Sequence, residues 1–521
     1  MVCPRQGGHG VRQWESLIRD NRTIDAGISS LLDRGATGSA ALIVPDGPTL
    51  TYGRLRELTE QVAIGLIARG VRPGDRVATV FPNGPEAILL FLATSMIGVS
   101  CPLNPGYKED EFRFYLEDTG ARFLLVPPGE AASARQALPA GGTVIEVELD
   151  STGRLELSSH ASDRLADSID AADPEATALV LHTSGTTSRP KRVPLRHRNL
   201  LTSADNIVRS YELTPDDVAL CIMPLFHVHG LVASTLATFA SGGTVVVPRR
   251  YSPLGFRPLM EATTPTWFTA SPTPHQLILA RLQDKRPPGV ERLRFVRSCS
   301  AALAPAQMEL MEDRFGVPVL EAYGMTEASH QMASNPLPPG RRLPGSVGRG
   351  TGVEVAILDE AGNELAAGAS GEVAVRGPNV IDGYENNPQA NASSFTRGWF
   401  RTGDLGVLDA DGYLRLVSRI KELINRGGEK IAPREIDEVL EAHPAVKEAV
   451  SFGVPHPTWG EEVGAAVVLN EPVTEKELLA FCRARLADFK VPRHLHFVDS
   501  IPKTPTGKIQ RRFVAEQFIR Q

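Results

Sequence analysis

Cysteine is scarce in this sequence. The 521 residues hold five, Cys3, Cys101, Cys221, Cys299 and Cys482, scattered and without a Cys-x-x-Cys pair. That excludes a disulfide framework and a cysteine-rich zinc module, and reduced packing thiols in a cytoplasmic protein are expected. A basic excess is also lacking. The formal charge of −6 argues against nucleic acid or an anionic membrane surface as partner. No apolar run reaches the roughly 20 residues of a membrane span. The most membrane-like stretch, Ala87 to Leu103, is broken at Pro102 and reads as a buried helix. Internal repeats are absent, which excludes a solenoid. A Walker loop is absent too, because no Gly-Lys-Ser/Thr stands at the required spacing.

What is present is an ordinary globular composition, 42% hydrophobic and 22% charged, on a chain long enough for two or more domains. From about Leu50 to Ala270, short apolar runs alternate with helical patterns. Val77 to Phe81 and Arg122 to Pro127 read as strands, and Pro85 to Gly98 as a helix. That alternation predicts an α/β fold with parallel-rich sheets covered by helices. Residues 128–175, rich in Ala, Gly, Ser and Asp, read as surface structure. Val-rich runs from Gly345 to Tyr384 predict a small β subdomain, and Asp409 to Gly412 a hairpin turn. After Ser418 a compact α+β tail begins. It has a helix opened by Pro433, a strand from Glu448 to Val454, and a helix from Thr474 to Leu486 with a Thr-x-x-Glu cap. The expected division is 1–418 for a large N-terminal domain and 419–521 for a small mobile one.

The string V-L-H-T-S-G-T-T-S-R-P-K at 180–191 carries the first chemistry. Small hydroxylated residues after an apolar strand can wrap a polyphosphate. Gly185 allows close backbone approach and Lys191 adds charge. An ordinary Ser/Thr turn is the plain alternative for any six of these residues. Further strings stand behind it: Y-G-M-T-E at 323–327, W-F-R-T-G-D at 399–404, S-R-I-K-E-L at 418–423 and P-K-T-P-T-G-K at 502–508. A carboxylate such as Glu327 suits a hard cation. One such as Asp404 can accept from two ribose hydroxyls. The pair His227 and His229 suggests a metal, but no third ligand stands at zinc-like spacing.

These five strings, in this order, resemble the AMP-forming acyl-CoA synthetases of the adenylate-forming superfamily. The resemblance implies ATP, Mg2+ and coenzyme A as cofactors. It assigns the phosphates to Thr183, Ser184, Gly185, Thr186, Thr187 and Lys191. It assigns adenine to Ser300, Ala301, Ala302 and Tyr323, and ribose to Asp404 and Arg419. Thr326 would touch the α-phosphate and Glu327 would hold the metal. His227 would sit at the acyl gate, and Lys508 would serve the adenylation transition state. Lys421 would be the hinge. Gly428, Trp459 and Phe489 would meet CoA. One departure stands out. The family loop continues Pro-Lys-Gly, whereas Arg192 follows Lys191 here, at a cost if a positive φ is needed.

For the acid, the resemblance places His227, His229, Ser298, Ser300 and His330 around the pocket. Those are donors fit for a second carboxylate rather than a fatty chain. From about residue 25 onward, strings such as M-P-L-F-H-V-H-G-L and E-L-I-N-R-G-G-E-K-I resemble the oxalate–CoA ligases of plants and fungi. The expected substrates are oxalate, ATP and CoA, on a monomer or homodimer without nucleic acid or a membrane span. Another short, dicarboxylic or aromatic acid is one alternative. A module loading a carrier protein is a second, with no carrier segment visible. A nucleotide-binding homologue without catalysis is a third, opposed by the intact Glu327, Asp404 and Lys508.

Overall fold

The computed structural model describes residues 27–150, 152–158, 172–183, 190–282, 286–504 and 507–519. Two large sheets form its body. The first has nine strands, in the spatial order Arg349–Gly350, His330–Ser334, Val319–Met325, Phe295–Ser298, Trp267–Ala270, Val218–Cys221, Thr244–Val246, Ala40–Ile43 and Thr49–Thr51. The six from Val319–Met325 to Ala40–Ile43 run parallel. The second has seven, in the order Leu155–Leu157, Thr143–Leu149, Phe123–Val126, Arg76–Thr79, Val99–Pro102, Thr177–Thr183 and Lys191–Arg196. Its middle five are parallel. The chain thus has the expected α/β architecture.

One continuous core joins the two sheets through helices Tyr52–Ala68, Pro85–Ile97 and His197–Tyr211. The first helix starts where the Thr51 side chain accepts from the Arg54 amide. Its Leu55, Leu58, Val62 and Leu66 repeat at helical spacing and are fully buried, as an amphipathic helix requires. Pro85–Ile97 is apolar nearly all round and is buried nearly all round.

Two expectations need correction. The apolar stretch Ala87 to Leu103 is not one helix. It stops at Ile97, and Val99–Pro102 becomes a strand between Arg76–Thr79 and Thr177–Thr183. Periodicity alone does not separate a buried strand from a buried helix. Nor is 128–175 merely surface. Thr143–Leu149 is a sheet strand whose Ile145, Val147 and Leu149 enter the core.

The β subdomain extends beyond Tyr384. Glu354–Leu358, Ser370–Arg376, Phe395–Thr396, Trp399–Leu408 and Leu414–Arg419 make one antiparallel sheet. The hairpin turn at Asp409 closes with Gly412 N–H donating to Asp409 O at 3.1 Å. From Ile424 onward a separate five-stranded sheet forms over its own core of Ile436, Leu440, Val463 and Leu478. Its α-helices are Pro433–Glu441, Glu475–Arg483 and Arg511–Ile519, the second with the Thr474–Glu477 capping box in place. Among the described residues no helix is long and apolar enough to cross a membrane.

The C-terminal sheet domain touches the body near its last loop. Thr273 Oγ1 donates to Gly507 O at 2.9 Å. Gly507 has φ +81°, and a Cβ there would sit 2.8 Å from Thr273 Cβ. Only glycine meets both demands at little cost.

Candidate active site

In open parallel sheets, ligands bind beyond the carboxyl ends of the strands. Two of the strings singled out above lie at such ends, 180–191 after Thr177–Thr183 and 323–327 at the end of Val319–Met325. Thr177–Thr183 runs out at the phosphate loop and the chain returns antiparallel, with Thr183 opposite Lys191. Ser184, Gly185, Thr186 and Thr187 lie outside the described residues. The Lys191 ammonium stands 4.2 Å from the centre of the Tyr384 ring. Burial lowers its pKa; Glu327 opposes that shift and Lys421 adds to it.

Arg192 is extended strand opposite His182, so the missing glycine costs no backbone strain. Its guanidinium donates to Asp118 O at 2.6 Å and pairs with the Asp118 and Glu385 carboxylates at 3.2 and 3.5 Å. That charge is spent inside the second sheet's support rather than on phosphates.

The second cluster joins three strings. Tyr323 donates its hydroxyl to Asp404. Asp404 pairs with Arg419 Nε at 2.7 Å across paired strands. Glu327 is 5% exposed and accepts from Tyr384 Oη at 2.8 Å through one oxygen. Its other oxygen has no hydrogen bond among the described residues. Among those residues no group of three His, Cys, Asp or Glu could cage a metal. One free carboxylate oxygen fits Mg2+, which keeps water and substrate phosphate in its shell. The hairpin behind Glu327 is tight: a Cβ on Gly324 would lie 1.9 Å from His330 O. Thr326 begins the short 3-10 turn Thr326–Ala328.

Lys508 is an exposed residue that feels the charges of this cluster. Arg419, then burial, lowers its pKa, against the pull of Asp404, Glu422 and Glu327. The fold therefore puts Lys508 within electrostatic reach of Asp404, Arg419 and Glu327, although 89 positions of chain or more separate it from each. Lys421, expected as the hinge, is exposed in the turn Ile420–Glu422.

The third cluster holds the donors. His229 opens a π-helical segment, His229–Leu236, a geometry frequent at functional sites. His229 Nδ1 meets Ser300 Oγ at 2.9 Å and Nε2 meets Thr269 Oγ1 at 2.7 Å. Both ring nitrogens are thus engaged within the protein. The His229 and His330 rings lie 4.9 Å apart. Ser300 and His330 both hold positive φ, 74° and 105°, strain of a kind that clusters at functional sites. His227 packs on Phe226, and burial pulls its pKa down to about 4. Ser298 is fully buried and its hydroxyl has no partner among the described residues. Ala301 and Ala302 follow Ser300 in the turn after strand Phe295–Ser298.

Sequence reasoning missed Arg297. It is fully buried beneath His229 and His330. A charged residue inside the apolar run Phe295-Val296 was the available signal.

Of the three residues assigned to CoA, Gly428 and Trp459 share one corner. Gly427 N–H donates to Trp459 O at 2.8 Å, and Arg426 covers the Trp459 ring. Phe489 lies apart, on the turn Asp488–Lys490 against the C-terminal core.

The family models agree with this arrangement. The AMP-binding enzyme model matches residues 33–385, and the AMP-binding enzyme C-terminal domain model matches 435–508. An oxalate–CoA ligase of Arabidopsis thaliana is 48% identical over 494 residues, covering 92% of this chain and 95% of that one. One of Saccharomyces cerevisiae is 45% identical over 476 residues, covering 86% and 87%. Among solved structures, ATP-bound MatB from Rhodopseudomonas palustris superposes with a TM-score of 0.86 at 32% identity, covering 95% and 99%. Solved relatives hold ATP and magnesium. The chain therefore belongs to the AMP-binding enzyme family, as an AMP-forming CoA ligase.

Proposed function

We infer that the chain joins oxalate to coenzyme A in two steps. An oxalate oxygen attacks the α-phosphorus of ATP, the bond to pyrophosphate breaks, and oxalyl-adenylate forms. The CoA sulfur then attacks the activated carbonyl, AMP leaves, and the thiol proton passes to solvent or phosphate. His227, neutral at pH 7 with its pKa near 4, is too weak a base for that proton and serves as the gate beside the reacting carboxylate.

The residues divide as follows. Thr183 through Thr187 and Lys191 hold the phosphates. Tyr323 and the Ser300–Ala302 turn flank adenine, and Asp404 with Arg419 holds ribose. Glu327 would hold Mg2+, which when bound neutralises charge on the pyrophosphate leaving group. Thr326 and Lys508 meet the oxygens on which charge grows during attack. Residues 419–521 turn about Lys421 between the steps, bringing Gly428 and Trp459 toward CoA. Cytoplasmic placement is supported by the buried, unpaired thiols of Cys101, Cys221, Cys299 and Cys482. The small-molecule reading leaves the subunit count at one or two.

The observation that carries the acid is the third cluster. Two imidazoles, a serine and a buried guanidinium lie together at the carboxyl end of strand Phe295–Ser298; we place the acid there, where a fatty chain would need apolar walls. The relatives' oxalate activity supports the same choice. The test is AMP release with a panel of acids, with and without CoA. Oxalate should lead. A lead for a C8 fatty acid or a cinnamate would overturn the polar-pocket reading. AMP release without acylated CoA would favour a carrier-protein acceptor.

A further inference from the structure

We propose that Arg297 is a positioning residue which, through Thr269, fixes the ring tautomers of His229 and His330, so that Ser300 and His330 both present hydrogen-bond donors to the acid. The proposal rests on the dicarboxylate reading only for which acid responds, not for the hydrogen-bond pattern itself.

Arg297 stands on the strand Phe295–Ser298 and is fully buried. Its Nε donates to Tyr211 Oη at 2.8 Å, one terminal nitrogen to Thr269 Oγ1 at 3.0 Å, and the other to Gln331 Oε1 at 3.0 Å. The same two terminal nitrogens face His229 Nε2 at 3.4 Å and His330 Nδ1 at 3.3 Å. No carboxylate pairs with it among the described residues. Arginine cannot be deprotonated in a protein and has no acceptor. A buried charge without a counter-ion is costly and is retained where it has a use.

Because arginine only donates, it sets the direction of every bond beyond it. Thr269 Oγ1 accepts from Arg297, so its own proton goes to its remaining partner, His229 Nε2, at 2.7 Å. That nitrogen is therefore bare and the His229 proton sits on Nδ1. Nδ1 donates to Ser300 Oγ at 2.9 Å, which leaves the Ser300 hydroxyl proton free. His330 Nδ1 likewise faces an arginine N–H, so its proton sits on Nε2. That nitrogen makes no hydrogen bond among the described residues.

The neutral state of both rings agrees with this scheme. Burial holds each imidazole well below its usual pKa, and the Arg297 charge adds to the effect. The result is two free donors, Ser300 Oγ–H and His330 Nε2–H, backed by one cation. Such a site takes a group rich in lone pairs and negative charge, the second carboxylate of a short diacid. A cationic end group finds no acceptor there, and a neutral one forms only the weaker, uncharged hydrogen bonds.

The first measurement uses the ligand-free wild-type enzyme with 15N-labelled histidine. NMR should find the proton on Nδ1 of His229 and on Nε2 of His330, each resonance assigned by its own His→Gln variant. A proton on Nε2 of His229 or Nδ1 of His330 would overturn the relay, whichever acid the enzyme prefers. The second compares Arg297→Met with Arg297→Lys. In Arg297→Met the oxalate KM should rise about ten- to hundred-fold, with kcat less affected, ATP KM within about two-fold, and glyoxylate use little changed. Arg297→Lys, which keeps the charge and guards against a folding failure of the methionine variant, should recover part of the oxalate KM. If the folded lysine variant loses oxalate and ATP affinity alike, Arg297 is only a packing residue. If instead the wild-type tautomers stand as drawn but another acid leads the panel, the oxalate reading fails and the relay survives.

Discussion

His229 uses both ring nitrogens inside the protein, on Ser300 and Thr269, and so acts on the acid through Ser300 as much as directly. Replacing it with alanine removes the donor that orients the Ser300 hydroxyl. His229→Ala should raise the oxalate KM by about ten- to hundred-fold, the scale of one hydrogen bond to a charged group, with ATP KM nearly unchanged. Equal losses for both substrates would make His229 structural. Asp404 is the opposite case: it holds both Tyr323 and Arg419, and we propose that it serves the nucleotide. Asp404→Ala should raise the ATP KM by about ten-fold or more and slow both half-reactions, because the nucleotide stays bound throughout. An unchanged ATP KM would remove Asp404 from the site. At this scale the sequence was a good guide wherever a residue sat in a recognisable string. It failed for Arg297 because a lone arginine beside Phe295 and Val296 carries no local sign of which side of the sheet it meets. Only the four elements that supply Tyr211, His229, Thr269 and the neighbours His330 and Gln331 reveal its surroundings.

Elements with a clear local signal were legible: the capped helix at Thr474 and the hairpin at Asp409. The π-helical turn at His229 was not, since its apolar spacing over His229–Leu236 matches an α-helix as well. Strand Thr143–Leu149 was hidden by the polar composition around it, although Ile145, Val147 and Leu149 alternate. Strand Val319–Met325 carries a feature that composition cannot show, the carboxyl of Glu321 buried inside the first sheet. Burial pushes its pKa up to about 7, while the Leu303 amide that donates to it pulls the other way. The folded protein thus binds this proton more tightly than the unfolded chain, whose value is near 4.5. The stability from this group is fullest below pH 4.5 and is lost as pH rises to about 7. Glu321→Gln should therefore flatten the fall of the thermal midpoint between those two values. Parallel profiles for the variant and the wild type would mean that Glu321 is ionised in the fold at low pH.

At the scale of the whole molecule, the site is assembled from two separately cored parts. Lys508 comes from the C-terminal sheet domain, yet it lies within electrostatic reach of Arg419, Asp404 and Glu327, with the neighbouring Gly507 docked on Thr273. A lysine so placed can stabilise charge at the α-phosphate only while that docking lasts. When residues beyond the hinge turn, it must leave. Lys508→Ala should then lose oxalyl-adenylate formation by about 10²–10³, the scale of removing one transition-state donor. Supplied with pre-made oxalyl-adenylate, or a stabler acyl-adenylate, it should still acylate CoA. Lys421 lies exposed in the turn between the parts, where proline would fix φ and hinder rotation. Lys421→Pro should keep adenylation and lose thioester formation. Pyrophosphate release measures the first step and thioester yield from the adenylate measures the second, so the two variants should fail in opposite assays. Failure of both in the same half-reaction would rule out the turning of the small domain as the link between the two steps.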